Sequence, residues 1–194
     1  MPDPEPGLAE AVALAGDLVR QVRPEQWHLP TPCSEWDVRQ IVDHLVLGQQ
    51  LFARALSGEP FDDAVAAVRA VPDRLGADPA AAYDESAAAM LAAFDAPGVL
   101  ERPVRVPFGT VPGAVARHLR IVDALVHGWD LAQALGLPFD PPAALVEAEL
   151  AASGPLLARV PAERKIFAPS RPVGDDAPPL ERLVALLGRD AGAR

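Results

Sequence analysis

The chain has 194 residues, a formal net charge of −10 and a single cysteine, Cys33. That length holds one domain, or one domain with a small extension. The acidic balance excludes nucleic acid and anionic membrane as partners, since both recruit basic surfaces, and one cysteine excludes an intrachain disulfide.

The elements follow from apolar spacing and from where the 22 prolines fall. Leu8, Ala11, Ala15, Leu18 and Val22 recur at helical spacing, which predicts a first helix over about 7–22. Pro24, Pro30 and Pro32 argue against regular structure after it. Ser34 is an N-cap residue with Asp37 three positions on, a capping-box variant opening a second helix over about 35–57. Its apolar face runs through Ile41, Gly48, Leu51 and Ala55, and His44 lies on that face.

Residues 61–76 are ambiguous; Phe61, Val65 and Val68 allow a short helix there. Asp78-Pro79 is a cap followed by proline at the first helical position. Tyr83, Ala87, Met90 and Phe94 then line a third long helix, about 79–95. Val99 to Val106 alternates weakly, holds Pro103 and is followed by Pro107, so an extended loop is expected. Phe108-Gly-Thr-Val-Pro-Gly113 leads into a fourth long helix, about 112–135, closed by Gly136. A fifth follows over 141–159, interrupted near Gly154-Pro155. Residues 166–179, rich in proline with Asp175-Asp176, read as loop. Leu180 to Leu187 is a short amphipathic helix, and the last residues are expected to fray. The sequence shows no internal repeat and no strong strand.

Four main helices with one long connection predict an all-α bundle. Residues 1–140 form the bundle, and 141–194 a helical extension packed on it. Hydrophobic residues are 50% of the chain but aromatics only 5%, so the core is built from small aliphatics. Lys165 is the only lysine among 17 basic residues, a bias of GC-rich genomes such as those of actinobacteria. The start has no basic or apolar leader, and no apolar run approaches about 18 residues. A soluble, cytoplasmic protein is expected.

Asp123 and His127 lie four residues apart, on one face of the fourth long helix. Two readings stand for such a pair. It is an exposed ion pair of ~0.3–0.5 kcal/mol, or it presents two ligands to one ion and needs a third from a facing helix. His44 is a candidate third ligand or a satisfied core histidine. The other histidines do not join them: His118 sits on the wrong face, and His28 lies in a proline-rich loop. Arg39, Arg117 and Arg120 are solvated arginines or a clamp for a substrate carboxylate. Asp130 is an exposed charge or an acceptor for the second N–H of His127. Trp36 and Trp129 read as packing. Cys33 precedes the second helix with no histidine placed to activate it, and reads as inert.

Thr31-Pro-Cys-Ser-Glu-Trp-Asp-Val-Arg-Gln-Ile-Val-Asp-His-Leu45 resembles the N-terminal signature of the DinB/YfiT-like metalloenzyme superfamily. It is closest to the actinobacterial branch that includes mycothiol-dependent maleylpyruvate isomerase. His127-Gly-Trp-Asp-Leu-Ala132 resembles that branch's second signature, and Leu180 to Arg189 the end of an uncharacterised subfamily. The resemblance spans about residues 8–189. It implies an up-down-down-up four-helix bundle holding a divalent metal, zinc or nickel, through His44, Asp123 and His127. It implies mycothiol as a cosubstrate, a small thiol that the metal activates toward a small-molecule substrate by isomerisation or transfer. Water in the thiol's place would make a hydrolase, and a bundle that binds metal or a small ligand without turnover is the other class. One position departs from the pattern: Asp123 stands where the isomerase has glutamate, one methylene longer. The sequence sets no oligomeric state; a homodimer paired through helix faces is the one to test.

Overall fold

The computed structural model describes residues 7–107, 109–158, 168–174 and 176–192. These form seven α-helices and one two-stranded hairpin. The helices are α1 (Leu8–Arg20), α2 (Val38–Leu56), α3 (Phe61–Arg69), α4 (Pro79–Phe94), α5 (Gly113–Leu135), α6 (Ala143–Ala158) and α7 (Pro179–Leu186). The strands β1 (Pro103–Val106) and β2 (Gly109–Pro112) lie between α4 and α5.

Helices α1, α2, α4 and α5 close a four-helix core. Both α1 and α2 pack against α4 and α5, so helices adjacent in the chain sit across the ring from each other. The expected apolar faces are the buried ones. Leu8, Ala11, Ala15 and Leu18 are buried on α1, Ile41, Leu45 and Phe52 on α2, and Tyr83, Ala87, Met90 and Phe94 on α4. No described helix is long and apolar enough to cross a membrane.

Several expectations are corrected. The cap of α2 is Asp37, not Ser34. The Asp37 carboxylate accepts from the Gln40 backbone N–H at 2.8 Å, and Gln40 Oε1 accepts from the Asp37 N–H at 2.9 Å. The proline-rich entry is also more regular than expected. Pro24–Gln26 makes one 3-10 turn, in which Pro24 costs nothing because its missing N–H would have been unsatisfied. Beyond it, Val38 and Arg39 donate backbone N–H groups to Leu29 and Trp27 at 3.2 and 2.9 Å. Thr31 Oγ1 donates to the Trp36 carbonyl at 2.7 Å, so Trp36 enters α2 on a fixed path.

The stretch expected as extended loop is half of an antiparallel hairpin, with Val104 opposite Val111 and Val106 opposite Gly109. Its prolines, Pro103 and Pro112, face each other at the open end and offer no N–H there; the next bond across runs from the Gly113 N–H to the Arg102 carbonyl at 2.9 Å. Gly109, at φ +133°, accommodates the turn. The ambiguous stretch does form α3, burying Ala64 and Val68.

Helix α6 is not interrupted: Pro155 lies inside it. Pro155 removes one intrahelical donor, while α6 stays packed against α5 and α7. The loop expected over 166–179 lies partly outside the described residues; 168–174 and 176–178 hold no helix or strand. The very end of the tail expected to fray, residues 193–194, lies outside the described residues, but the stretch just after α7 is held. Leu187 and Arg189 are buried, and Gly188 turns between them at φ +87°.

Candidate metal centre

Three side chains from two helices converge between α2 and α5. His44 comes from α2, and Asp123 and His127 from successive turns of α5. One ligand atom from each lies within 4.8 Å of the others. Asp123 Oδ1 faces both rings, 3.2 Å from His44 Nε2 and 3.7 Å from His127 Nε2. Asp123 thus bridges the helices although it is one methylene shorter than glutamate. Access is graded: the side chains of His44, Asp123 and His127 are 32%, 19% and 7% exposed.

The second oxygen, Asp123 Oδ2, lies 2.9 Å from Arg120 Nη1. The contact is an ion pair without hydrogen-bond alignment, since Oδ2 and Arg120 Nε both lack a hydrogen-bond partner. Burial pushes the Asp123 carboxyl upward, but Arg120, with His44 and His127, outweighs it and holds the group well below the usual carboxylate range.

Arg120 is itself buried, and one glycine makes room for it. A Cβ built on Gly48 would lie 2.3 Å from Arg120 Nη1. Phe52, one turn further along α2, places its ring 5.2 Å from the guanidinium carbon.

His127 is braced from behind. Its Nδ1 lies 2.9 Å from Asp130 Oδ2. Asp130 is fully buried and also accepts from Arg189, Nη2 to Oδ2 at 2.8 Å and Nε to Oδ1 at 3.2 Å. Burial raises the Asp130 carboxyl, but the bonds from His127 and Arg189 outweigh it and lower it. An ionised carboxylate only accepts, so His127 Nδ1 carries the proton. With that proton on Nδ1, Nε2 is the ring nitrogen that faces Asp123. Two electron-rich atoms facing each other at 3.7 Å are a place for a cation, and imidazole with carboxylate suits zinc or a similar divalent ion.

Trp36 caps the cluster, its ring centroid 4.5 Å from that of His44 and 5.5 Å from that of His127. It packs as expected, and it packs on the two histidines. Trp129 is buried at the edge of a separate cavity of about 350 Å³, between the start of α6, the start of α7 and α5.

The remaining candidates divide. Arg120 joins the cluster, as partner to Asp123. Arg39 pairs instead with Asp73 at 2.9 Å, and Arg117 is half-buried on α5. His118 faces α6, where it pairs with Glu149 and lies 3.3 Å from Ser153 Oγ. His28 is exposed and pairs with the Asp37 cap at 2.9 Å. Cys33 is half-buried, and burial pushes its thiol pKa up.

Sequence reasoning missed Gly48 and Arg189. A glycine on a buried helical face costs about 1 kcal/mol relative to alanine, which is a signal of close approach. Arg189 lay in a recognised tail motif but carried no signal of its destination.

A helical core in which two histidines and a carboxylate converge defines a class, the bundle proteins with a three-donor centre. The comparisons narrow it. Residues 8–132 match the family described as mycothiol maleylpyruvate isomerase N-terminal domain, and the chain belongs to that family. Two uncharacterized proteins of Mycobacterium tuberculosis, from strains CDC 1551 and H37Rv, are each 36% identical over 173 residues, 89% of this chain and 90% of theirs. The crystal structure of a His-to-Ala mutant of mycothiol-dependent maleylpyruvate isomerase matches with a TM-score of 0.55 at 16% identity, over 75% of this chain and 68% of that one. At that identity the likeness is one of fold.

Proposed function

We propose that this protein is a metal-dependent, thiol-activating enzyme. His44, Asp123 and His127 hold a divalent ion, zinc or nickel, and mycothiol is the cosubstrate for isomerisation of, or transfer to, an electrophilic small molecule. Membership of a mycothiol-related family supports the thiol. The observation that carries the reading is the convergence of the His127 Nε2 lone pair, the Asp123 carboxylate and His44 Nε2.

A divalent ion in such a site supplies the charge that deprotonates a thiol of ordinary pKa, about 8.5, and keeps it as thiolate. The rest falls to the chain's own groups. Asp130 fixes the His127 tautomer and ring. Arg189 neutralises Asp130, so that no uncompensated charge is buried behind the ligand. Arg120 holds one oxygen of Asp123 and leaves the other facing the histidines. Trp36 covers one side of both rings and limits water there. In this reading residues 141–194 are an extension that braces the bundle's site through Arg189.

Metal analysis of protein purified without a His-tag tests the centre. Near-stoichiometric zinc or nickel that disappears in His44→Ala and His127→Ala supports it; unchanged metal in both variants ends it. A second reading, ion binding without turnover, draws on the two arginines engaged elsewhere. Arg120 pairs with Asp123 and Arg39 with Asp73, so neither stands ready to clamp a substrate carboxylate. Titration with low-molecular-weight thiols separates the two: a cobalt-loaded centre whose spectrum no thiol perturbs favours the second.

A further inference from the structure

We propose that Arg120 makes the loaded centre selective for anionic ligands: a fixed positive charge, buried against the Asp123 carboxylate in the gap left by Gly48, cancels the ligand's negative charge. This rests on the metal reading above and adds a specificity determinant to it.

The charge count decides the matter. A divalent ion with two neutral histidines and one carboxylate carries a net charge of one. Arg120 lies 2.9 Å from that carboxylate and is 5% exposed, so solvent does little to screen it. It returns the cluster to two positive charges. The pair behind His127 does not alter the sum, because Asp130 and Arg189 cancel each other. A fourth ligand therefore enters a field that rewards negative charge. A thiolate or a carboxylate gains from Arg120; water or another neutral donor does not.

Three features hold Arg120 there at a cost. Its Nε has no hydrogen-bond partner. The α2 helix carries a glycine on a buried face, where any side chain would collide with the guanidinium. Phe52 offers its ring to the cation. A side chain serving only to fill space would need none of these.

The test uses cobalt-substituted protein and follows the visible bands of the ion while azide, an anion, and imidazole, a neutral donor, are titrated separately. Arg120→Met is expected to weaken azide by about tenfold or more, the order that one charge several ångströms away imposes in a poorly screened site. Imidazole affinity is expected to stay within a factor of about two. Arg120→Lys, which keeps the charge, is expected to restore most of the azide affinity. Gly48→Ala displaces the guanidinium while keeping its charge, and is expected to weaken azide in the same direction as Arg120→Met but by less; it carries the comparison if Arg120→Met does not fold. Equal losses for azide and imidazole, or unchanged azide affinity in both Arg120→Met and Gly48→Ala, overturn the inference and leave the metal reading standing. Failure of the wild-type protein to take up cobalt overturns both.

Discussion

Helix α5 carries two histidine–carboxylate clusters, and they are built for different ends. At its middle, His127 and Asp123 meet His44. Near its start, His118 pairs with Glu149 of α6, beside Ser153. The residue types are alike, and the second set, read as Ser-His-Glu, even has the composition of a hydrolytic triad. Ser153, however, donates its hydroxyl to the Glu149 carbonyl of its own helix at 2.7 Å. The side chains of His118 and Glu149 are only 12% and 11% exposed. That cluster is a closed clasp between α5 and α6. The other has a third donor from a second helix, a histidine whose tautomer is set from outside, and an edge open to solvent at His44. What sets the proposed centre apart from the clasp is a ring nitrogen facing a carboxylate with access to solvent, not the pairing of histidine with acid.

The sharpest way to break this contrast is to remove one histidine from each cluster. His127→Ala is expected to abolish metal retention, while His118→Ala retains the wild-type metal content, both read by elemental analysis of untagged protein. Equal metal loss in the two would erase the distinction. Next in size is Asp130→Asn, which removes the acceptor behind His127. Metal affinity should fall by about 10–100-fold, measured by competition with a chromophoric chelator; an unchanged affinity would mean that the tautomer does not matter.

The clasp should answer in stability instead. His118→Ala leaves the Glu149 carboxylate buried without its partner, and a loss of about 1–3 kcal/mol is expected in urea unfolding. The smallest effect concerns Cys33. Its raised pKa leaves little thiolate at neutral pH, so alkylation by iodoacetamide at pH 7 should be slower than for a free cysteine and should climb as the pH rises. A rate above that of the free amino acid would reopen Cys33 as a reactive group.

Much of this was legible before the structure. The four core helices follow from local spacing, because each buries one apolar stripe and each stripe is written in consecutive turns. The three convergent residues were candidates from one i, i+4 pair and one histidine on an apolar face, and the resemblance of their motifs singled them out as a ligand set. The illegible parts depend on contacts that spacing does not encode. Arg120 lies three residues before Asp123, and only the approach of α2 at Gly48 shows that it is buried rather than solvated. The hairpin was hidden by its prolines, which look like breakers until they fall at the open end of a two-stranded ladder. Ser34 and Asp37 are both good caps; the return bond from Gln40 decided for Asp37.

The contact between Asp130 and Arg189 spans 59 residues of sequence, and that separation orders events during synthesis. His44, Asp123, His127 and Asp130 are all made before α6 and α7 exist. A growing chain can assemble the four-helix core while Asp130 still lacks its cation. Arg189 is made after all of them, and it reaches Asp130 where α7 and the turn at Gly188 carry the backbone inward. A chain ended before residue 189 would carry His44, Asp123 and His127 but leave Asp130 without the cation that pairs with it.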